Sequence, residues 1–201
     1  LTPTNARRAM EHAEGSLLAH GIGAPPGRVD VEHSKPGGEG PRDRMKRGAK
    51  VIIPGDGTSL WVLTWNADFA KGLVGLLGNK KTIGEAFHIT SDQALSWNQI
   101  YLEAYQALGQ APNVVHIPSD FIARFDEHAV GSLIGDKCNS VVFDNSKIKR
   151  FVPEFECKVN WSEGVRLSLA WFEAHPQFQT VAAESDELWD KIIGAYDKAF
   201  P

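Results

Sequence analysis

Cysteine is almost missing from this chain of 201 residues: Cys138 and Cys157 are the only two. Their separation matches neither a zinc site nor a redox Cys-x-x-Cys, so reduced structural thiols are expected rather than a disulfide or a nucleophile. Long apolar runs are missing too. No stretch approaches the roughly 20 apolar residues that a membrane helix needs. Leu1 onward lacks the charged-then-apolar pattern of a signal peptide, so the expectation is a cytoplasmic protein with no membrane partner. A dominant charge is also lacking. The net charge is -4, and the first fifty residues hold nine Lys/Arg against six Asp/Glu, too small an excess for a nucleic-acid partner. The histidines, at positions 12, 20, 33, 88, 116, 128 and 175, form no His-Glu-x-x-His or His-x-His pair, so no metal site is expected. Asp126, Glu127 and His128 are adjacent, would diverge on a helix, and read as surface charge. No Gly-x-Ser-x-Gly occurs, and Gly131-Ser132 and Thr58-Ser59 lack the flanks of a nucleophile elbow, which argues against a serine hydrolase.

What is present is an α/β pattern, and an apolar fraction of 42% is enough for an ordinary buried core. Residues 1–20 read as a first helix with Ala6, Ala9, Met10, Ala13, Leu17 and Leu18 on one face. Residues 21–43 read as a linker or loop, because ten of the 21 residues from Gly21 to Pro41 are Gly or Pro. The pattern from residue 44 to 176 is that of one α/β domain, and 177–201 forms a helical extension, with Leu188, Trp189, Ile192, Ile193 and Tyr196 on the apolar face of a helix from Ser185 to Phe200. Within the domain, Val51 to Ile53 is a β-branched strand that stops at Pro54, followed by a Gly55-Asp56-Gly57 turn. A second strand is expected over Leu60 to Trp65. Asn66 then caps a helix with Phe69, Leu73, Leu76 and Leu77 on one face, ended by Gly78-Asn79. Further strands are expected at Ala86–Thr90, Val114–Ile117 and Val141–Phe143. Ser96 caps a helix with Ile100, Tyr101, Ala104 and Leu108 inward, Pro118-Ser119 opens another, Asn145-Ser146 begins a short one, and Trp161-Ser162 caps one that ends at His175-Pro176.

Gly72, Gly75 and Gly78 fit a Gly-x-x-Gly-x-x-Gly spacing, yet they fall in the second half of a helix. A phosphate cradle needs its glycines between a strand and a helix N-terminus, so these read as packing glycines. Gly21-Ile22-Gly23 fails for another reason, since Pro25 and Pro26 remove amides.

The sequence of strand, Gly-Asp-Gly turn, apolar strand and helix start resembles the NAD-dependent epimerase/dehydratase family, the extended short-chain dehydrogenase/reductases. Gly55, Gly57 and Asp68 are the matching positions. Glu85 to Ser91, Val114 to Pro118, and Asp144 to Pro153 with Glu163-Gly164 follow in the family's order. The resemblance spans about Arg44 to Pro176 and is to the C-terminal, substrate-binding part. It implies a small mixed sheet with surrounding helices and no complete Rossmann domain. A glycine-rich phosphate loop and a Tyr-x-x-x-Lys are not visible: the residues four beyond Tyr101, Tyr105 and Tyr196 are Tyr105, Gly109 and Phe200.

The resemblance implies NAD or NADP as cofactor and a small-molecule substrate. It places Asp56, Trp61, Thr64 and Trp65 on the loop and strand that face the family's cleft, although tryptophans in so apolar a strand equally suit a core. His88, on the same strand face as Ala86 and Thr90, either donates to a substrate oxygen as a catalytic group or is a satisfied half-buried histidine. No arginine occurs between Arg47 and Arg124, where related epimerases place one for substrate phosphates, so a small polar carbonyl or hydroxyl compound is expected. Two functions stay open: an NAD(P)-linked oxidoreductase, or a module that binds a ligand or protein without turnover. Without a Rossmann half, apolar surface would need covering, and a homodimer is expected.

Overall fold

The structure is a computed structural model that describes residues 41–176 and 183–201. The expected helix at 1–20 and nearly all of the 21–43 linker lie outside the described residues. A short helix α1 (Pro41–Lys46) leads into strand β1 (Val51–Pro54), then β2 (Leu60–Val62) and helix α2 (Asn66–Leu76). Strand β3 (Ala94–Ser96), helix α3 (Trp97–Ala107), strand β4 (Val114–Ile117) and helix α4 (Ser119–Ala123) follow. A π-helical segment (Val130–Lys137), then α5 (Ser146–Phe151), α6 (Trp161–Ala174) and α7 (Ala183–Ala199) complete the order. The architecture is mixed α/β, with little sheet and many helices. β1 and β4 pair in parallel, with Ile53 opposite His116 and Pro54 opposite Ile117. β2 and β3 pair antiparallel, with Trp61 opposite Leu95.

β1 is buried because its three β-branched residues have helices to pack on: Val51, Ile52 and Ile53 join Met45, Ile100, Tyr101, Tyr105 and Ile117 in the main core. Trp189, Ile192 and Ile193 of α7 belong to that same core, so the C-terminal helix closes it. A second cluster holds Leu76, Ile89, Ile148, Val152 and Phe155, with Phe69 and Leu73 packed against it. Three members of the expected α2 face therefore point inward, whereas Leu77 is 40% exposed. Ser96 caps α3 in a full capping box with Gln99, and Tyr105 is buried beside the expected Ile100, Tyr101 and Ala104.

Several local expectations are corrected. The second strand is shorter than Leu60 to Trp65 and stops at Val62, where β3 ends as a partner. Trp65, not Asn66, precedes α2, and Asn66 Oδ1 accepts from its own neighbour Ala67 N. Asn160 rather than Trp161-Ser162 caps α6, its side chain accepting from Glu163 N. Residues 86–90 and 141–143 are not strands. Backbone groups of these segments are satisfied elsewhere: Thr90 O accepts from Asn145 Nδ2, Ala86 O from Lys147 Nζ, and Val141 N donates to Leu60 O. Asp126 and Glu127 lie in a turn that leads into a helical turn beginning at His128, whose N donates to Asp126 Oδ1, so the three are not successive residues of one helix.

Candidate functional site

Asp56 sits at the end of β1 in a turn that only glycine can complete on both sides, Gly55 and Gly57 having φ of 66° and 72°. Its Oδ1 accepts from Thr58 N at 2.9 Å and Thr58 Oγ1 at 2.6 Å. These bonds hold the exposed carboxyl below its usual 3.8. The Asp56 carbonyl accepts from Asn98 Nδ2 at 3.0 Å, and Asn98 Oδ1 meets His116 Nε2 at 2.7 Å. His116 was not among the expected site residues.

Trp61 is half-buried and stacks on Trp97 with ring centroids 5.9 Å apart. The Lys137 ammonium lies 5.5 Å from the Trp61 ring centroid, a cation–π contact on a lysine that is otherwise buried. Thr64 Oγ1 accepts from Ser91 N at 2.9 Å. Trp65 packs its ring toward Gly164 of α6, so that a Cβ there would touch it at 3.4 Å. Thr90 Oγ1 donates to Asn145 Oδ1 at 3.1 Å. His88 is exposed, and its ring meets Phe143 edge-on with centroids 4.8 Å apart.

The expected residues thus fall into two groups. Thr90 and His88 meet Asn145 and Phe143, with Thr64 bonded to the neighbouring Ser91, while Asp56 and Trp61 lie toward α3; Trp65 stands apart, against α6. The segment 137–145 joins them, since Ser59 Oγ donates to Lys137 O, Leu60 N to Ser140 Oγ, and Asn145 reaches Thr90. Asn145 organises the first group. It is 3% exposed and donates to both Thr90 O and Asp92 Oδ1. Asn145 and the Lys149 ammonium, 2.6 Å from Asp92 Oδ2, hold the Asp92 carboxyl below its usual value. Sequence reasoning took Asn145 only as a turn opener, because its partners are 53 and 55 residues away.

Burial pushes the Cys157 thiol up to about 11, so little of it is thiolate at neutral pH. No cluster of three or more His, Cys, Asp or Glu side chains that could hold a metal occurs among the described residues. No described helix is long and apolar enough to cross a membrane. For a dinucleotide the described residues do not fit. A Cβ at Gly72 would overlap Ile89 and meet Phe155, and one at Gly75 would overlap Val152, so both glycines are occupied in packing α2. The Gly55-Asp56-Gly57 turn leads into β2 instead of a helix N-terminus.

No protein-family model matches the chain. Among characterised proteins, the 2'-dehydrokanamycin reductase of Streptomyces kanamyceticus is 28% identical over 109 residues, 54% of this chain and 31% of that protein. The solved structure of UDP-glucuronic acid 4-epimerase from Bacillus cereus, with UDP-glucuronic acid and NAD, aligns with a TM-score of 0.53 at 21% identity over 66% of this chain and 38% of its own. An epimerase from Methanothermobacter thermautotrophicus gives a TM-score of 0.56 at 18% identity, covering 68% and 36%. The chain therefore spans well under half the length of these relatives. Over about two thirds of its own length it carries the fold of part of an extended short-chain dehydrogenase/reductase of the NAD-dependent epimerase/dehydratase type.

Proposed function

We propose that these residues form the substrate-holding part of an NAD- or NADP-linked oxidoreductase of the epimerase/dehydratase type, acting on a small polar carbonyl or hydroxyl compound. The observation that carries this reading is the fold, shared with an epimerase solved with NAD and a sugar nucleotide and with an enzyme of Pseudomonas aeruginosa solved with NADPH. In support, two hydroxyls of the expected set are held in place, Thr64 by Ser91 N and Thr90 by Asn145, while Trp61 stacks on Trp97 at the edge of the main core. Asp56, Trp61, Thr64, Trp65 and Thr90 are assigned to the substrate and His88 to proton donation, its ring being exposed and held by Phe143. The described residues supply no pyrophosphate grip, so no step through the nicotinamide is assigned to them. The reading also takes the protein as a cytoplasmic homodimer without a nucleic-acid or membrane partner.

The second reading, a ligand- or protein-binding module without turnover, is favoured by those glycines packed inside α2. Titration of the full chain with NAD(H) and NADP(H), followed by tryptophan fluorescence and calorimetry, separates the two. Saturable binding supports the oxidoreductase, and no binding at millimolar cofactor supports the module. Loss of turnover in His88→Ala, with unaltered stability, supports the proton-donor role.

A further inference from the structure

Ile83 is the most exposed large apolar side chain among the described residues, at 79%. The backbone that presents it is tightly bonded. Asn79 Oδ1 accepts from Lys81 N at 3.0 Å and opens a single 3-10 turn, Lys80–Thr82. Thr82 Oγ1 shares its proton between Asn79 O at 2.7 Å and Leu76 O at 3.1 Å, which ties the turn to the end of α2. Glu85 N then closes the loop on Thr82 O at 3.1 Å. Gly78 and Gly84, with φ of 80° and 79°, bend the chain before and after. The same tip leaves Leu77 exposed, and Val74 lies one turn of α2 earlier. From Phe69 to Gly84 the chain holds Lys71, Lys80 and Lys81 and no acidic residue. Lys71 is engaged by Asp68, and Glu85, just beyond, is taken by Lys147 at 2.7 Å. Lys80 and Lys81 are exposed and pair with no carboxylate among the described residues.

The π-helical segment presents the opposite sign. Ala129 and Leu133 belong to the main core, which turns Val130, 53% exposed, and Ile134 outward as neighbours four residues apart. From Phe125 to Asp136 the chain holds Asp126, Glu127 and Asp136 and neither lysine nor arginine, with Arg124 just outside. Ala129 N donates to Asp126 O at 3.0 Å and Val130 N to Glu127 O at 3.2 Å, so the first two acids sit one turn ahead of the exposed pair. Asp136 lies 3.5 Å from Lys137 Nζ, whereas Asp126 and Glu127 pair with no cation among the described residues. The tip rests on the second core cluster and the acidic face on the main one. Within one chain the lysines of the tip reach none of these carboxylates.

We infer that each chain seats its Ile83 tip on the Val130–Ile134 face of a second copy, with Lys80 and Lys81 set against Asp126 and Glu127. Apolar side chains meet at the centre and exclude water, while the charges at the rim fix orientation and repel a wrong approach. An anionic lipid surface would suit the tip alone, but the net charge of -4 opposes it. The inference deepens the proposed reading by giving its homodimer a contact surface. Association alone is measured, so a failure here is distinct from a failure to bind nicotinamide.

The test is sedimentation equilibrium of the full chain. At about 100 μM, a concentration suited to a small interface, the chain should self-associate. Raising NaCl from about 0.01 M to 1 M shortens the screening length from about 30 Å to 3 Å and should weaken the association about tenfold. The double variant Lys80→Glu/Lys81→Glu should be monomeric, and so should Asp126→Lys/Glu127→Lys. Mixed in equal amounts, the two should associate again, because each altered surface then meets its opposite sign on the other variant. Recovery in the mixture also shows that both variants are folded. A wild-type chain that stays monomeric at low salt overturns the inference. So does association that both double variants keep, a mixture that stays monomeric, or capture of the chain by phosphatidylserine vesicles without self-association.

Discussion

Asp68 is 1% exposed, and it is the residue where the chain's local and distant parts meet. It lies in the first turn of α2, yet its Oδ2 accepts from Lys158 N and Val159 N, both at 2.9 Å, and its Oδ1 from Lys71 Nζ at 2.7 Å. Replacing it with Ala leaves two amides and an ammonium without their acceptor. The expected loss is about 2–3 kcal/mol, read from the urea midpoint at constant m-value. Asn, with one carbonyl oxygen, can satisfy only one side. Asp92 gives a pH prediction of known sign. Its carboxyl is held below the unfolded value of 3.8 by Asn145 and Lys149, so its contribution is complete above that value and is lost as pH falls through the folded one. Amide exchange at residues 90–92 should accelerate below about pH 3.8, and Asn145→Ala should remove much of that pH dependence.

At the scale of elements, two helical glycines should respond oppositely to the same change. Alanine normally favours a helix interior over glycine by about 1 kcal/mol. At Gly194 of α7 nothing stands within 4 Å of the added Cβ, so Gly194→Ala should stabilise by about 0.5–1 kcal/mol. At Gly72 the space belongs to Ile89 and Phe155, so Gly72→Ala should destabilise by roughly 1–3 kcal/mol despite the better propensity. Paired thermal melts check the reversal of sign. The same contrast explains which elements were legible in the sequence. β1, β4 and α3 were, because β-branched runs, a turn glycine and a serine cap at Ser96 are local signals. Residues 86–90 kept the alternation of a strand, Phe87 and Ile89 inward and His88 outward, but no ladder reached them. Their carbonyls are met by Asn145 and Lys147, a choice written far along the chain. Among candidate site residues, the place of Asp56 in its Gly-Asp-Gly turn was legible. The contact of His116 with Asn98 was not, because it depends on a parallel register that places His116 opposite Ile53 and on an asparagine from α3.

For the molecule as a whole, the decisive joint is between the first described helix and the last. Arg44 is buried beneath α7, its Nε donating to Lys50 O at 2.9 Å and its other nitrogens to Asp186 and Asp190. The guanidinium also lies 5.7 Å from the Trp189 ring centroid. Around it, Arg47 pairs with Asp186 and Lys50 with Asp197, both at 2.9 Å and each with its cation open to solvent. Exposed pairs of that kind contribute at most about 1 kcal/mol. Arg44 differs because it is desolvated and bridges backbone and carboxylates at once, so Arg44→Met should cost about 2 kcal/mol. For a chain of this size that lowers Tm by roughly 4–8 °C. Asp190 is 66% exposed on its side chain and rehydrates when the arginine is lost, which keeps the cost below that of stranding a buried charge. The loss should be concentrated in α7. Its amides should exchange faster than those of α3 in the variant, and Arg47→Met should leave both the melt and that exchange pattern nearly unchanged. Equal protection of α3 and α7 in Arg44→Met would show that the C-terminal helix is held by Trp189, Ile192 and Ile193 alone.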